Sequence, residues 1–484
     1  MQTSPIRAAV FVSSVFALYI SAAMLIPAAV DIYYGNADWQ VFAFCAMTTG
    51  GLGLIVAAAT RSRPPIQSTR FAFLLVALLW VTLGLVGAIP FYAASLKLNI
   101  ADSVFESVSA ITTTGSTTIA GLDNVAPGLL LWRSLLQWIG GLGVIALGLF
   151  LLPFLNVGGF SYFQIESSDI DERPFERFST FMVALLGIYA SLTVLCAIAY
   201  AAAGMSSFDA VNHAMTTLAT GGFSTHDASF GYFEGQAVLW IGTIFMLVGA
   251  IPFSILILLA VRGRLDALRD PQIRVFLGYV AAFALTVAIY RRVTADIPFG
   301  EALAHSAFNF VSIITTTGFA SEDYSLWGPY AVVAAFFATF LGGCSGSTAG
   351  GIKAYRFYIL AKMLANGLRQ LIHPHVVQSI RYGSRTVDAD MQRSVVLFMT
   401  AFMLAWVAST MALAAGGLDF VTASTAALTA ITNVGPGLGD LVGPAGNFVP
   451  LDNYAKWILS FMMLLGRLEI VAVLVLLMPS FWRN

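Results

Sequence analysis

Residues 109–121 read "SAITTTGSTTIAG". Hydroxyl side chains crowd a single glycine, and long apolar stretches lie on both sides. One such run reads as the C-cap of a short helix, with glycine closing it, or as a polar site placed inside a membrane. Three further runs decide between the two. Aligned on one glycine, the first run and these three are "DSVFESVSAITTTG" (102–115), "DAVNHAMTTLATGG" (209–222), "HSAFNFVSIITTTG" (305–318) and "TASTAALTAITNVG" (422–435). Gly115, Gly222, Gly318 and Gly435 recur at near-regular spacing, each at the end of a short apolar segment with a long one before and after it. Recurrence at matched positions favours one architecture used four times over four coincidental caps.

The rest of the chain sets the solvent. Of 484 residues, 58% are apolar and 10% charged, where a soluble protein has roughly 45–50% and about 25%. The chain is therefore read as an integral membrane protein. A net charge of −1 offers nothing to nucleic acid. Cys45, Cys196 and Cys344 have unrelated spacings, which imply neither a disulfide framework nor a metal site. The first apolar run, after one Arg, is too long for a signal sequence and is read as a retained helix.

A span needs about 20 apolar residues. Ten segments qualify: 8–33, 39–60, 70–94, 127–154, 177–203, 234–261, 274–293, 327–362 (interrupted), 392–415 and 453–480. The segments near 101–114, 207–220, 302–317 and 420–433 are too short to cross. The expected fold is an all-α integral membrane protein. Four pseudo-repeats of span, pore helix, filter loop and span surround a central pore, and one extra helix pair precedes them. The corresponding divisions are 1–66 for the N-terminal helix pair, 67–160 for repeat 1, 161–265 for repeat 2, 266–370 for repeat 3 with its broken second helix, and 371–484 for repeat 4. Arg61, Arg63 and Arg70, then Arg262, Arg264, Arg269 and Arg274, then Arg369, Arg381, Arg385 and Arg393 mark loops on one side, read as cytoplasmic together with both termini. Arg291 and Arg292 fall on the other side, against the rule.

Non-helical backbone at membrane depth is tolerated only where it is buried in protein or lines a watery cavity. Four loops facing one another across an axis meet that condition. Each short helix points its partly negative C-terminus inward, favouring a cation. Glycine allows the backbone turn that presents successive carbonyls. Such oxygens can replace the hydration shell of a large monovalent cation.

At this point the residues resemble a known family. "TTTGST" (112–117), "TGGFST" (220–225), "TTTGFA" (315–320), "NVGPGL" (433–438) and "WRSLLQWIGGLGVIALGLFLLP" (132–153) are similar to the Trk/Ktr/HKT superfamily of potassium transporters, and the extra helix pair to its bacterial Trk (TrkH/TrkG) branch. The resemblance spans essentially the whole chain. It implies K⁺ uptake across the bacterial inner membrane, a homodimer, and a cytoplasmic nucleotide-binding regulatory subunit of the TrkA (RCK/KTN) type. K⁺ is then the transported ion, no cofactor is expected, and membrane lipid rather than nucleic acid is the surrounding partner. Carried over by position, the K⁺ filter comprises Thr113, Thr114, Gly115, Thr220, Gly221, Gly222, Thr316, Thr317, Gly318, Asn433, Val434 and Gly435. Serine at the first-loop glycine is associated with sodium passage in the superfamily, so four glycines favour potassium. The fourth loop, "TNVGPG", departs from the threonine pattern and from exact four-fold symmetry.

The eighth span is broken by "LGGCSGSTAGGIKAYR" (341–356). Each glycine costs about 1 kcal/mol in a helix interior, so Gly342, Gly343, Gly346, Gly350 and Gly351 favour an intramembrane gate, as the family implies. Close helix packing through small residues is the alternative. A phosphate loop fails for want of the G-x-x-x-x-G-K-[ST] spacing. Arg467 lies near the middle of the last predicted span. It favours a pore-facing, gating role over an ion pair with Glu469, since residues two apart on a helix face different ways. The family has an arginine there too. Asp102, Glu106 and Asp209 attract cations or stabilise helix N-termini, the second being favoured. Asp123, Asp227, Glu322, Asp323 and Asp440 suggest an acidic mouth, and His213 and His305 read as satisfied core histidines. The acidic stretch 164–176 and the basic segment 364–388 are docking surfaces for a regulator or merely solvated.

Three functions compete. Gated K⁺ conduction is favoured. Proton- or Na⁺-coupled symport, or Na⁺-permeable transport on the same fold, is the alternative, but few carboxylates or histidines lie along the spans for a relay. A membrane enzyme would need a nucleophile–base pair or metal-ligand cluster, and no HExxH, GxSxG or Cys/His cluster appears.

Overall fold

The computed structural model describes residues 4–61, 69–150, 178–375, 379–383 and 385–483. The acidic stretch 164–176 lies outside them. The extra pair comes first: α1 (Pro5–Ala23) and α2 (Leu25–Tyr34), broken at Met24 ahead of Pro27, then α3 (Trp39–Thr60). Small residues (Ala9, Ser13, Ala17, Ser21) face inward, and Ser21 bonds Thr49 at 2.7 Å. Without a hydrophobic drive between helices in lipid, such close contacts and polar bonds supply cohesion. The buried Asp31 carboxylate accepts Gly128 N at 2.7 Å. It thereby caps the N-terminus of α6 (Pro127–Phe150) and ties the pair to the first repeat.

That repeat is α4 (Thr69–Ala93), short helix α5 (Ile100–Ile111), a loop and α6. The second has α7 (Phe178–Ala202), short α8 (Ser207–Leu218), α9 (Gln236–Gly249) and α10 (Phe253–Arg262). The third has α11 (Pro271–Thr294), short α12 (Phe299–Ile314), α13 (Pro329–Ala338) and α14 (Ala354–Ile372). A two-residue antiparallel hairpin, β1 (Arg381–Tyr382) and β2 (Arg385–Thr386), then leads into the fourth. That repeat has α15 (Ala389–Ala415), short α16 (Phe420–Thr432), α17 (Asn453–Arg467) and α18 (Ile470–Leu477), and α19 (Pro479–Arg483) follows. Inner helices cross to the next short helix, α6 to α8 and α9 to α12, and α17 packs on α5 to close the circle. Among the described residues seven helices are long and apolar enough to cross a bilayer, or nine if each bent pair is one span. This is a multi-pass membrane protein of the all-α, four-repeat kind expected.

Two expected straight spans are bent. The segment 234–261 turns by 97° between α9 and α10, and 453–480 by 110° between α17 and α18. Pro252, lacking an N–H, starts the first break, and the freed carbonyl of Ala250 accepts Cys344 N at 3.0 Å. At the second, Glu469 takes a left-handed φ of 61°. Arg467 is therefore the last residue of α17, not the middle of a continuous helix. Apolar residues lie on both sides of each bend, and averaged hydropathy cannot register them.

The arginines that broke the charge rule have partners. Arg291 bonds Glu322 at 2.8 Å and lies over the Trp327 ring at 3.9 Å, while Arg292 pairs with Asp296.

Each inner helix except the broken third carries a glycine beneath its own short helix. A Cβ on Gly140 would meet Ile111 O at 2.0 Å, on Gly249 Leu218 O at 3.1 Å, and on Gly466 Ile431 O at 2.0 Å. Gly140→Ala is expected to cost about 1–3 kcal/mol by overpacking. Gly187→Ala, where an added Cβ meets nothing, stays within about 0.5 kcal/mol. Thermal unfolding midpoints in detergent check the pair.

Candidate functional site

Every short helix ends in the same way. The residue two before the aligned glycine is left-handed: Thr113 (φ 53°), Thr220 (49°), Thr316 (58°) and Asn433 (59°). The following N–H reaches back five residues: Thr114 to Ser109 O, Gly221 to Thr216 O and Thr317 to Ser312 O at 2.8 Å, and Val434 to Thr429 O at 3.0 Å. That is a Schellman-type cap, so the C-cap reading holds for the threonine or asparagine rather than for the glycine. The glycines are left-handed in their own right, with φ of 87°, 77°, 89° and 109°. Two such residues so close cost about 1–3 kcal/mol for each non-glycine, and the surrounding bonds hold them.

The four loops meet. A Cβ on Gly115 would lie 2.3 Å from Gly221 O, on Gly222 1.9 Å from Thr317 O, on Gly318 2.1 Å from Val434 O, and on Gly435 2.8 Å from Thr114 O. Each glycine thus abuts the carbonyl one residue before the next repeat's glycine, and the order 1–2–3–4–1 closes a ring. The backbone of the "TNVGPG" loop keeps its place in that ring. Its departure is in the side chain, where Asn433 Nδ2 bonds Thr114 Oγ1 and Met463 O, both at 2.9 Å.

Behind the ring, polar residues of the short helices staple the loops' exits. Glu106 accepts Thr118 N at 2.8 Å, His213 Nε2 meets Ser224 Oγ at 2.9 Å, Asn309 Nδ2 donates to Ser321 Oγ at 2.7 Å, and Thr425 Oγ1 accepts Leu438 N at 3.1 Å. Glu106, His213 and Asn309 occupy one aligned position, a signal that was present in the sequence. Glu106 also forms a buried pair with Arg133 at 2.7 Å. Arg133 in turn donates to Ser224 O at 2.8 Å and lies 4.0 Å over Phe223. No motif in the sequence marks Arg133 for this role. Asp102 and Asp209 serve their helix starts: their backbone N–H groups donate to the capping side chains of Asn99 and Ser206, which donate in turn to the two carboxylates, and Asp102 pairs with Lys456 at 2.6 Å. His305 bonds Ser321 at 2.8 Å. Both histidines are satisfied, as expected.

Above the ring, on the side of the short helices' N-termini, a bowl is lined by the four glycines with Thr117, Arg133, His226, Asp227 and Asn447. Of the five carboxylates expected at an acidic mouth, Asp227 alone lines it. It accepts Gly121 N and Leu122 N, while Asp123 bonds His226 at 2.5 Å and Glu322 is taken by Arg291. These acids build loops more than they charge the opening.

Below the ring lies loop 341–353. Gly350 N donates to Thr316 Oγ1 at 2.6 Å, Gly351 N to Thr432 O at 2.8 Å, and Thr348 Oγ1 to Leu218 O at 3.0 Å and Gly249 O at 2.9 Å. The loop therefore docks on the helix ends that carry the ring. Its glycines permit close approach: a Cβ would meet Gly350 O at 2.5 Å from Gly342, Ala349 Cβ at 2.6 Å from Gly343, and Thr432 O at 2.5 Å from Gly350. Gly346 and Gly351 have φ of 79° and 69°. Helix is lost over this segment and its packing is close. Lys353, Arg356, Asn433, Arg467 and Glu469 line one cavity with the loop. Glu469 pairs with Arg356 at 2.5 Å, a partner on another helix. Arg467 is buried, and its Nε and Nη2 find no partner among the described residues. Lys353, whose ammonium donates to Ala349 O, went unnoticed in the sequence. Among the described residues no group of three His, Cys, Asp or Glu side chains could hold a metal ion.

Comparison with known proteins gives concordant matches. A family model described as TrkH, cation transport protein, matches residues 40–483. The Trk system potassium uptake protein TrkI of Halomonas elongata is 44% identical over 98% of this chain and 96% of its own. TrkH of Escherichia coli K12 is 37% identical over 99% of each. The crystal structure of the potassium transporter TrkH from Vibrio parahaemolyticus superposes with a TM-score of 0.91, at 34% identity and covering 100% of both chains.

Removing one partner of a buried ion pair leaves the other charge uncompensated and costs about 3–5 kcal/mol. Glu106→Ala is expected to fall in that range, because Arg133 and Thr118 N both lose their acceptor. Arg292→Ala, which breaks an exposed pair, changes stability by about 0.5 kcal/mol or less. Paired melting curves of the two variants measure the difference.

Proposed function

The chain belongs to the TrkH family of cation transport proteins, and from that membership we propose that it takes up K⁺ through the ring of loops. The observation that carries this is the closed contact of each glycine with its neighbour's carbonyl. An ion that sheds water must find oxygens at once. Thr113, Thr114, Gly115, Thr220, Gly221, Gly222, Thr316, Thr317, Gly318, Asn433, Val434 and Gly435 supply them, and four helix C-termini add favourable dipoles. In this account the divisions 67–160, 161–265, 266–370 and 371–484 each contribute one quarter, and 1–66 braces the first. The chemistry is transport rather than catalysis.

Loop 341–353 is the gate. It shares hydrogen bonds with the ring's underside, so its release frees the inner mouth. Arg467 projects into the same cavity, where an unpaired guanidinium repels resting cations. The protein acts as a homodimer in the bacterial inner membrane, with both termini cytoplasmic and a TrkA-type nucleotide-binding subunit controlling the gate. The relatives' designation as parts of a Trk system supports a partner subunit.

The test is ⁸⁶Rb⁺ flux into liposomes holding the purified protein, with K⁺, Na⁺ and Li⁺ as competitors. K⁺ should compete best, and equal competition by Na⁺ contradicts ring selection. Gly115→Ser should weaken the K⁺ over Na⁺ preference by about tenfold, because a side chain at a left-handed site facing Gly221 O must displace a loop. Arg467→Ala should raise basal flux by about tenfold, the effect of removing one nearby positive charge. Equal or lower flux removes the barrier role.

A further inference from the structure

The second loop differs from the others in one way. Gly221 stands where the first and third loops have Thr114 and Thr317 and the fourth has Val434. The cause is Gln137, on α6 of the preceding repeat. Its amide is wholly buried, with Nε2 donating to Gly221 O at 2.5 Å and Oε1 accepting Phe223 N at 3.1 Å. A Cβ on Gly221 would lie 2.4 Å from Gln137 Cδ. The glutamine fills the room that a side chain takes elsewhere.

Gly221 O is one of the four ring carbonyls. Among the described residues it is the one that receives a side-chain hydrogen bond. At the matching place on two other inner helices, three residues before Gly249 and Gly466, stand Met246 and Met463. The clamp therefore belongs to one seam, between repeats 1 and 2. Arg133, one turn away on the same face of α6, holds Ser224 O of the same loop.

We propose that Gln137 is a positioning residue that sets ion selectivity by pinning the Gly221 carbonyl. Glycine is the loosest residue of the ring backbone, so this quarter would yield first to a smaller ion that draws the oxygens inward. A buried, doubly bonded amide resists that movement from behind, and low dielectric strengthens both bonds. The inference rests on the ring being the selective site.

The test is ⁸⁶Rb⁺ uptake by the full chain in liposomes, with K⁺ and Na⁺ as competitors. It compares wild type with Gln137→Met, which keeps size and loses both bonds. A second variant, Gln137→Glu, keeps the acceptor for Phe223 N but sets an oxygen against Gly221 O. Both should still carry Rb⁺, with Na⁺ competing about fivefold better against it than in wild type. A wild-type ratio in either conducting variant overturns the proposal. So does complete loss of flux in a monodisperse variant, or failure of both to fold, since each indicates a purely structural role. Wild type that does not distinguish K⁺ from Na⁺ would instead refute selection by the ring itself.

Discussion

The molecule depends on a steric condition: four backbone carbonyls must approach the Cα atoms of four neighbouring glycines more closely than any Cβ allows. That contact closes the ring, and every other element serves it. The Schellman-type caps deliver each chain in the left-handed region two residues early, so that the glycine is free for the contact. The polar staples behind the ring then fix each loop's exit. A ring of buried carbonyls is costly inside a membrane unless polar groups meet its oxygens.

Charge is distributed to match. The short helices direct their negative ends at the ring from one side. On the other, Lys353, Arg467 and the Arg356–Glu469 pair surround the cavity beneath. On the proposed path a cation leaving the ring passes from a favourable field to an unfavourable one, and loop 341–353 lies at the boundary. Because that loop bonds to the same helix ends that build the ring, its position and the ring's rigidity are linked.

Much of this was legible in the sequence. The short helices and glycines stood out because they repeat, and the broken eighth span because five glycines cannot hold a helix. The bends at Pro252 and Glu469 were hidden, since apolar residues lie on both sides of each and averaged hydropathy does not sense direction. Treating the last span as straight put Arg467 mid-helix. The break instead places it at a helix end and lets Glu469 reach Arg356. Arg133, Gln137 and Lys353 stand as isolated polar residues in apolar or glycine-rich segments, with no motif to mark them. Arg133 and Gln137 are four apart and share a helix face, a pattern that could have pointed to one polar seam. Carboxylates after the loops looked like an attracting mouth, but most are spent on neighbouring N–H groups and cations.

The central claim is that a dehydrated K⁺-sized ion sits on the axis of the glycine ring. Anomalous scattering from crystals soaked in Tl⁺ tests it most directly. The account predicts a peak on the axis at the level of Thr114, Gly221, Thr317 and Val434, displaced by excess K⁺ and retained in excess Na⁺. An axis without a peak, with Tl⁺ bound away from these loops, would contradict it.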